Sequence, residues 1–92
     1  MSSADIEGRV PSFGHGLAEA LLVAWVARIG DRVERGDVIA EVETDKASTE
    51  IVAERSGRVV AHCVTAGSIV KSGELLYRLA EDRLDGEDIQ DE

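Results

Sequence analysis

Apolar positions along this chain come in short runs that alternate with polar residues and stop at glycine or charged pairs. No i, i+3, i+4 stripe persists for three helical turns, so the pattern predicts short strands and tight turns rather than helices. The runs place strands at 10–13, 21–29, 38–43, 49–52, 58–64 and 75–79. Val10-Pro11-Ser12-Phe13 reads as a short edge strand, because Pro11 cannot donate to a ladder. Gly14-His15-Gly16 follows as a loop, Gly30-Asp31 closes the longest run, and Gly57 and Gly67 bracket the fifth. Beyond Ala80 the pattern is lost.

The runs repeat. Shifting the chain by 37 residues brings Gly30, Val33 and Gly36 onto Gly67, Val70 and Gly73. Leu22, Val23 and Ala24 fall on Val59, Val60 and Ala61, and Val38, Ile39 and Val42 fall on Leu75, Leu76 and Leu79. Only six identities occur across residues 20 to 46, so the repeat rests on the glycine frame and the apolar positions. A repeat of this length, holding four short strands, predicts an all-β fold of two similar sheets facing each other about an approximate twofold axis, as a flattened barrel or sandwich. On the same shift Lys46 maps onto Arg83 and Val10 onto Ala47, which puts the 43–50 hairpin at one pole and both chain ends at the other.

That hairpin holds the most unusual residue. Val38 to Glu43 leads in, Thr49 to Val52 leads out, and Thr44-Asp45-Lys46-Ala47-Ser48 between them is short and polar, with Asp45 suited to opening a turn. The chain has only two lysines, Lys46 and Lys71, against eight arginines. A lysine at a turn is most often a solvated residue, so the tip alone decides nothing.

Composition narrows the alternatives. Ninety-two residues allow one small domain. The net charge is −9, and residues 81–92, with seven acids and one arginine, carry −6 of it. Nucleic acid and an anionic membrane surface are therefore poor partners. Neither a signal peptide nor an apolar run of spanning length is present, and Cys63 is the single cysteine, which fits a reducing, soluble compartment. A catalytic lysine needs desolvated or cationic surroundings, whereas Lys46 has Glu43, Asp45 and Glu50 nearby. His15 and His62 stand apart as surface or loop residues, and Cys63 follows His62 on a strand, so the two point opposite ways. The chain reads as a non-catalytic carrier: a lysine at a pole can accept a covalent group and present it.

The series Val10-Pro11-Ser12-Phe13-Gly14, Glu19-Ala20-Leu21-Leu22-Val23-Ala24-Trp25, Gly30-Asp31-x-Val33-x-x-Gly36-Asp37 and Glu43-Thr44-Asp45-Lys46-Ala47 resembles the lipoyl domain of the acyltransferase components of 2-oxo acid dehydrogenase complexes. The likeness covers residues 10–81, and it implies a barrel-sandwich of two four-stranded antiparallel sheets with quasi-twofold symmetry. It sets residues 1–9 apart as an extension, in which Ile6-Glu7-Gly8-Arg9 spells an engineered protease site, and 82–92 as an acidic tail or the start of a linker. The resemblance implies lipoic acid in amide linkage to Lys46, with Glu43, Asp45 and Ala47 as the hairpin features that a lipoate ligase or lipoyl transferase recognises. It implies a recognition role for Gly14, His15, Gly16 and Glu19 toward a thiamine-diphosphate-dependent 2-oxo acid decarboxylase. The further partners it implies are an acyltransferase core and dihydrolipoamide dehydrogenase, in a bacterial cytoplasm or a mitochondrial matrix. Two departures stand out: Ala20 replaces the family's glycine before the second strand, and Val10 replaces its usual initial methionine.

Two other carriers remain open. A biotinyl domain shares the architecture but usually flanks its lysine with methionines, where this chain has Asp45 and Ala47. A stand-alone lipoyl carrier for a specialised pathway is suggested by a chain that begins with Met and stops soon after the domain. Among 2-oxo acids, the Val10–Phe13 and Ser72–Leu76 stretches lean toward 2-oxoglutarate, and Asp45-Lys46-Ala47-Ser48 toward pyruvate or branched-chain acids. The sequence leaves that choice open.

Overall fold

The computed structural model describes residues 5–13 and 18–81. Its strands are β1 (Ile6–Arg9), β2 (Glu19–Trp25), β3 (Arg32–Val33), β4 (Val38–Glu43), β5 (Ser48–Val52), β6 (Gly57–His62), β7 (Ile69–Lys71) and β8 (Leu75–Ala80). They form two four-stranded sheets, ordered β1-β8-β6-β3 and β5-β4-β2-β7, in which every neighbouring pair is antiparallel. The predicted pair of facing sheets is present, as a sandwich that does not close into a barrel.

Alternation along the strands explains which face each sheet buries. In β4, Ile39 and Val42 are fully buried while Glu41 and Glu43 are exposed. The largest fully buried side chains are Leu22, Ile39, Val42, Val59, Val70, Leu76 and Leu79. Three repeat-related pairs lie among them: Leu22 with Val59, Ile39 with Leu76, and Val42 with Leu79. Each such side chain contributes about 1.5–3 kcal/mol by leaving water.

The twofold relation extends to single hydrogen bonds. Gly30 N–H donates to Val59 O at 2.7 Å, and Gly67 N–H donates to Leu22 O at 2.7 Å. The β2–β4 ladder shifts register between Leu22 and Ala24, and the β6–β8 ladder shifts between Val59 and Ala61. Gly30, Gly36, Gly67 and Gly73 all have φ between +87° and +100°, the region that glycine enters without a Cβ penalty. The glycine frame is thus a set of turn requirements.

Three expectations need correction. The first strand is Ile6–Arg9, not 10–13, so four of the nine residues set apart as an extension belong to the fold. Ile6-Glu7-Gly8-Arg9 pairs with β8, and the Tyr77 ring occupies the space a Cβ on Gly8 would need. The longest run ends at Trp25 rather than residue 29, because the Val26 and Ala27 amides both turn onto the Ile39 carbonyl. Finally, Val10 corresponds to Ala53, not Ala47. Val10 bonds Glu74 O and receives Gly73 N–H, just as Ala53 bonds Asp37 O and receives Gly36 N–H. The offset grows from 37 to 43 because the stretch from Val10 to Ala20 is six residues longer than its counterpart from Ala53 to Gly57. The opposite-pole placement survives: Ile6 pairs with Leu79 at one end of β1, and past its other end Pro11 to Phe13 lie beside Lys46.

Candidate functional site

Lys46 sits in a four-residue turn between Glu43 and Ser48, the last cross-strand pair of the β4–β5 hairpin. Asp45, Lys46 and Ala47 are all exposed. Thr44, not Asp45, holds the turn closed. Its N–H donates to Ala47 O at 2.9 Å, and its hydroxyl donates to the same oxygen at 3.1 Å. The Thr44 Oγ1 also accepts the N–H groups of Lys46 and Ala47, each at 3.2 Å. One hydroxyl therefore bonds the backbone on both sides of the lysine, the local side-chain-to-backbone bonding that favours threonine in turns. The sequence points to Asp45 instead, because aspartate bonds its own backbone in turns more strongly than threonine does.

The two flanks of the tip differ. On one side Lys46, Thr44, Ala47 and Ile51 line a groove of ≈ 630 Å³ with Pro11 and Phe13. The additional residues between β1 and β2 thus enter the neighbourhood of the lysine. On the other side Glu19, Leu21, Glu43, Asp45 and Ile69 line a second depression. Glu43, Asp45 and Ala47 stand beside Lys46 as expected, and Glu19 opens β2 on the same pole. Gly14, His15 and Gly16, which resemblance linked to partner recognition, lie outside the described residues. Ala20 lies inside β2 and is buried, where extended backbone suits any residue, so the family's glycine is not needed here for a left-handed turn.

Electrostatically the hairpin is acidic. Glu41 and Glu50 face each other directly across β4 and β5, a like-charged pair that weakens the ladder slightly. Among the described residues no carboxylate pairs with the Lys46 amine. The amine is therefore presented, not tethered.

His62 is neither a surface nor a loop residue. Its ring stacks on Trp25 with centroids 3.8 Å apart and planes 5° from parallel. Trp25 and His62 are repeat mates, so the stack lies on the approximate twofold axis. Trp25 Nε1–H donates to Val64 O at 3.1 Å, and His62 Nε2 meets Ala27 O at 2.9 Å. A carbonyl only accepts, so Nε2 carries a proton. Each ring thereby bonds the opposite half of the chain. A composition count could not have found this pair, but placing the one tryptophan on the repeat would have. Cys63 is exposed just past β6, and no group of metal-ligating side chains occurs among the described residues.

The family profile described as "Biotin-requiring enzyme" matches residues 7–79. The chain belongs to this family of biotin- and lipoyl-attachment domains. Within it, the similarity falls on the lipoyl side. The chain is 37% identical over 84 residues to the dihydrolipoyllysine-residue acetyltransferase component of the pyruvate dehydrogenase complex of Staphylococcus aureus. That alignment covers 91% of this chain but 19% of the relative, so the chain spans about a fifth of the length of that protein. The solution structure of the lipoyl domain of the 2-oxoglutarate dehydrogenase complex from Azotobacter vinelandii superposes with a TM-score of 0.65 at 34% identity. It covers 83% of this chain and 96% of that one. A single-chain, multi-domain long-chain acyl-CoA carboxylase gives the same TM-score at 20% identity, over 97% of this chain and 8% of that one, which shows the shared fold alone. Lipoyl domains carry lipoic acid covalently on a lysine, and such a domain is a carrier, not an enzyme. No helix among the described residues is long and apolar enough to cross a membrane.

Proposed function

We propose that Lys46 takes lipoic acid in amide linkage and that the domain serves as the swinging arm of a 2-oxo acid dehydrogenase complex. The observation that carries this reading is an exposed, unpaired lysine at the tip of a turn built around it by Thr44. The tip fits an amide-linked group, because nothing described crowds the amine and both flanking residues are small or acidic. Lipoic acid would supply a dithiolane able to accept an acyl group together with two electrons and to give up the acyl group and the electrons separately. The chain's own residues hold that group away from the sandwich: Thr44 fixes the turn, while Glu43 and Asp45 mark it for the modifying enzyme.

The partners in this reading are a thiamine-diphosphate-dependent decarboxylase, an acyltransferase core and dihydrolipoamide dehydrogenase, in the bacterial cytoplasm. Tethering is the domain's contribution, since a linked carrier meets its partners at an effective concentration set by the linker. The exit of the chain at the pole opposite Lys46 suits that use, with residues 82–92 as the start of the linker.

Coexpression with a lipoate ligase and intact-mass measurement tests the site. The wild type should gain one lipoyl mass and Lys46→Arg none. Label on Lys71, or no gain in the wild type, would sink the proposal, and a gain equal to biotin would select the biotinyl carrier. Reductive acylation by purified decarboxylases for pyruvate, 2-oxoglutarate and branched-chain 2-oxo acids then separates the substrates.

A further inference from the structure

The two sheets are related by symmetry in shape but not in charge. On the outer face of β5-β4-β2-β7, Glu19, Glu41, Glu43 and Glu50 are exposed, with Lys71 as the basic residue. The outer face of β1-β8-β6-β3 carries Arg32, Arg58 and Arg78 instead, at the positions that repeat Ile69, Leu21 and Glu41. Arg32 and Arg58 stand directly opposite each other across β3 and β6. Facing cations weaken a ladder unless something negative offsets them. Acids do sit near this row: Glu34 pairs with Arg32 at 3.0 Å, and Glu7 approaches Arg78 at 4.0 Å. Arg58 donates one bond to Gly30 O at 3.1 Å, and a guanidinium has further N–H donors to give.

The chain leaves β8 beside this row. Ala80 is the cross-strand partner of Arg58, and the next twelve residues hold seven acids and one arginine. Neighbouring strands lie about 4.8 Å apart. An extended chain gains about 3.3 Å per residue, so roughly three residues reach from β8 across β6 to β3. The acidic face of the other sheet repels the same segment. We propose that residues 82–92 dock intramolecularly on the Arg32–Arg58–Arg78 face, so that a linker starting there leaves the domain along that sheet. This does not depend on Lys46 being modified.

The test compares amide spectra of the full 92-residue chain with one ending at Glu81. Removing 82–92 should shift the amides of Arg32, Arg58 and Val60, which are remote from the cut in sequence. The same shifts should appear when salt screens the full chain, and tail-dependent shifts should be lost in Arg58→Glu and reduced in Arg32→Ser. Preserved shifts for the buried residues of β2 and β4 verify that each variant folds. Changes confined to residues 78–81, changes on the Glu41 and Glu43 face, or changes that grow with protein concentration would each overturn the proposal.

Discussion

Replacing Thr44 by valine preserves the volume and β-branching of the side chain while deleting its hydroxyl. The hydroxyl makes three bonds, one donated to Ala47 O and two accepted from the Lys46 and Ala47 amides. A neutral hydrogen bond contributes about 0.5–1.5 kcal/mol net, and less where water can replace it. The turn is exposed, and the Thr44 N–H bond to Ala47 O at 2.9 Å remains, so the total loss is about 1–2 kcal/mol. The loss falls on opening the turn, not on unfolding the sandwich, because none of residues 44–47 belongs to the buried core. Hydrogen exchange at the Lys46 and Ala47 amides should accelerate by a factor of about 5–30, the equivalent of that energy. The denaturant midpoint should move little, since local opening is separable from global unfolding. Lipoylation should slow in proportion to the fraction of closed turn. Unchanged exchange at both amides, with normal lipoylation, would refute the claim that Thr44 holds the hairpin.

Other outcomes follow from features away from the tip. A Cβ on Gly57 would stand 2.6 Å from Ala80 O and 3.1 Å from Leu79 Cβ, so Gly57→Ala should destabilise by about 1–3 kcal/mol, read by urea unfolding. His62→Ala removes the ring on Trp25 and the bond to Ala27 O, and should cost about 1–3 kcal/mol with a red shift of Trp25 emission. Burial pushes the Tyr77 phenol above its ordinary value, with the Glu54 charge adding to the rise and a hydrogen bond to the Glu54 backbone opposing it. A raised folded-state pKa means the unfolded chain releases its proton first. Stability should therefore hold below the ordinary phenol range and decline as pH rises through it, a decline absent from Tyr77→Phe.

Much of the fold was legible because the repeat records it twice. Val33 and Val70, or Ile39 and Leu76, announce the same buried position independently, and the glycine frame marks left-handed turns that few other residues tolerate. What escaped was whatever lacked a run of its own. β3 has two residues and β7 three, too few for a period to show, and both exist because a neighbouring strand supplies the ladder. Ile6–Arg9 escaped because only Ile6 is a large apolar residue; its burial comes from Gly8 lying against Tyr77. At the tip, Lys46 was singled out by scarcity and position. The role of Thr44 was not, since one hydroxyl making three bonds is a matter of angle and distance.

The hairpin has a counterpart position in the other sheet. Glu43 and Ser48 close the lysine turn, and the positions that repeat them are Ala80 and Asp5, the last residue of β8 and the one before β1. Asp5 and Ala80 thus stand where the symmetry would put the two sides of a second such turn. A circular permutant opened at the β5–β6 connection, with Ala80 joined to Asp5 through Thr-Asp-Lys-Ala, should fold and present an acceptor at each pole. A carrier of this shape can have two arms or one arm and a tether. Under the proposed function the arm stands at Lys46, and the pole at Ala80 is left for the tether.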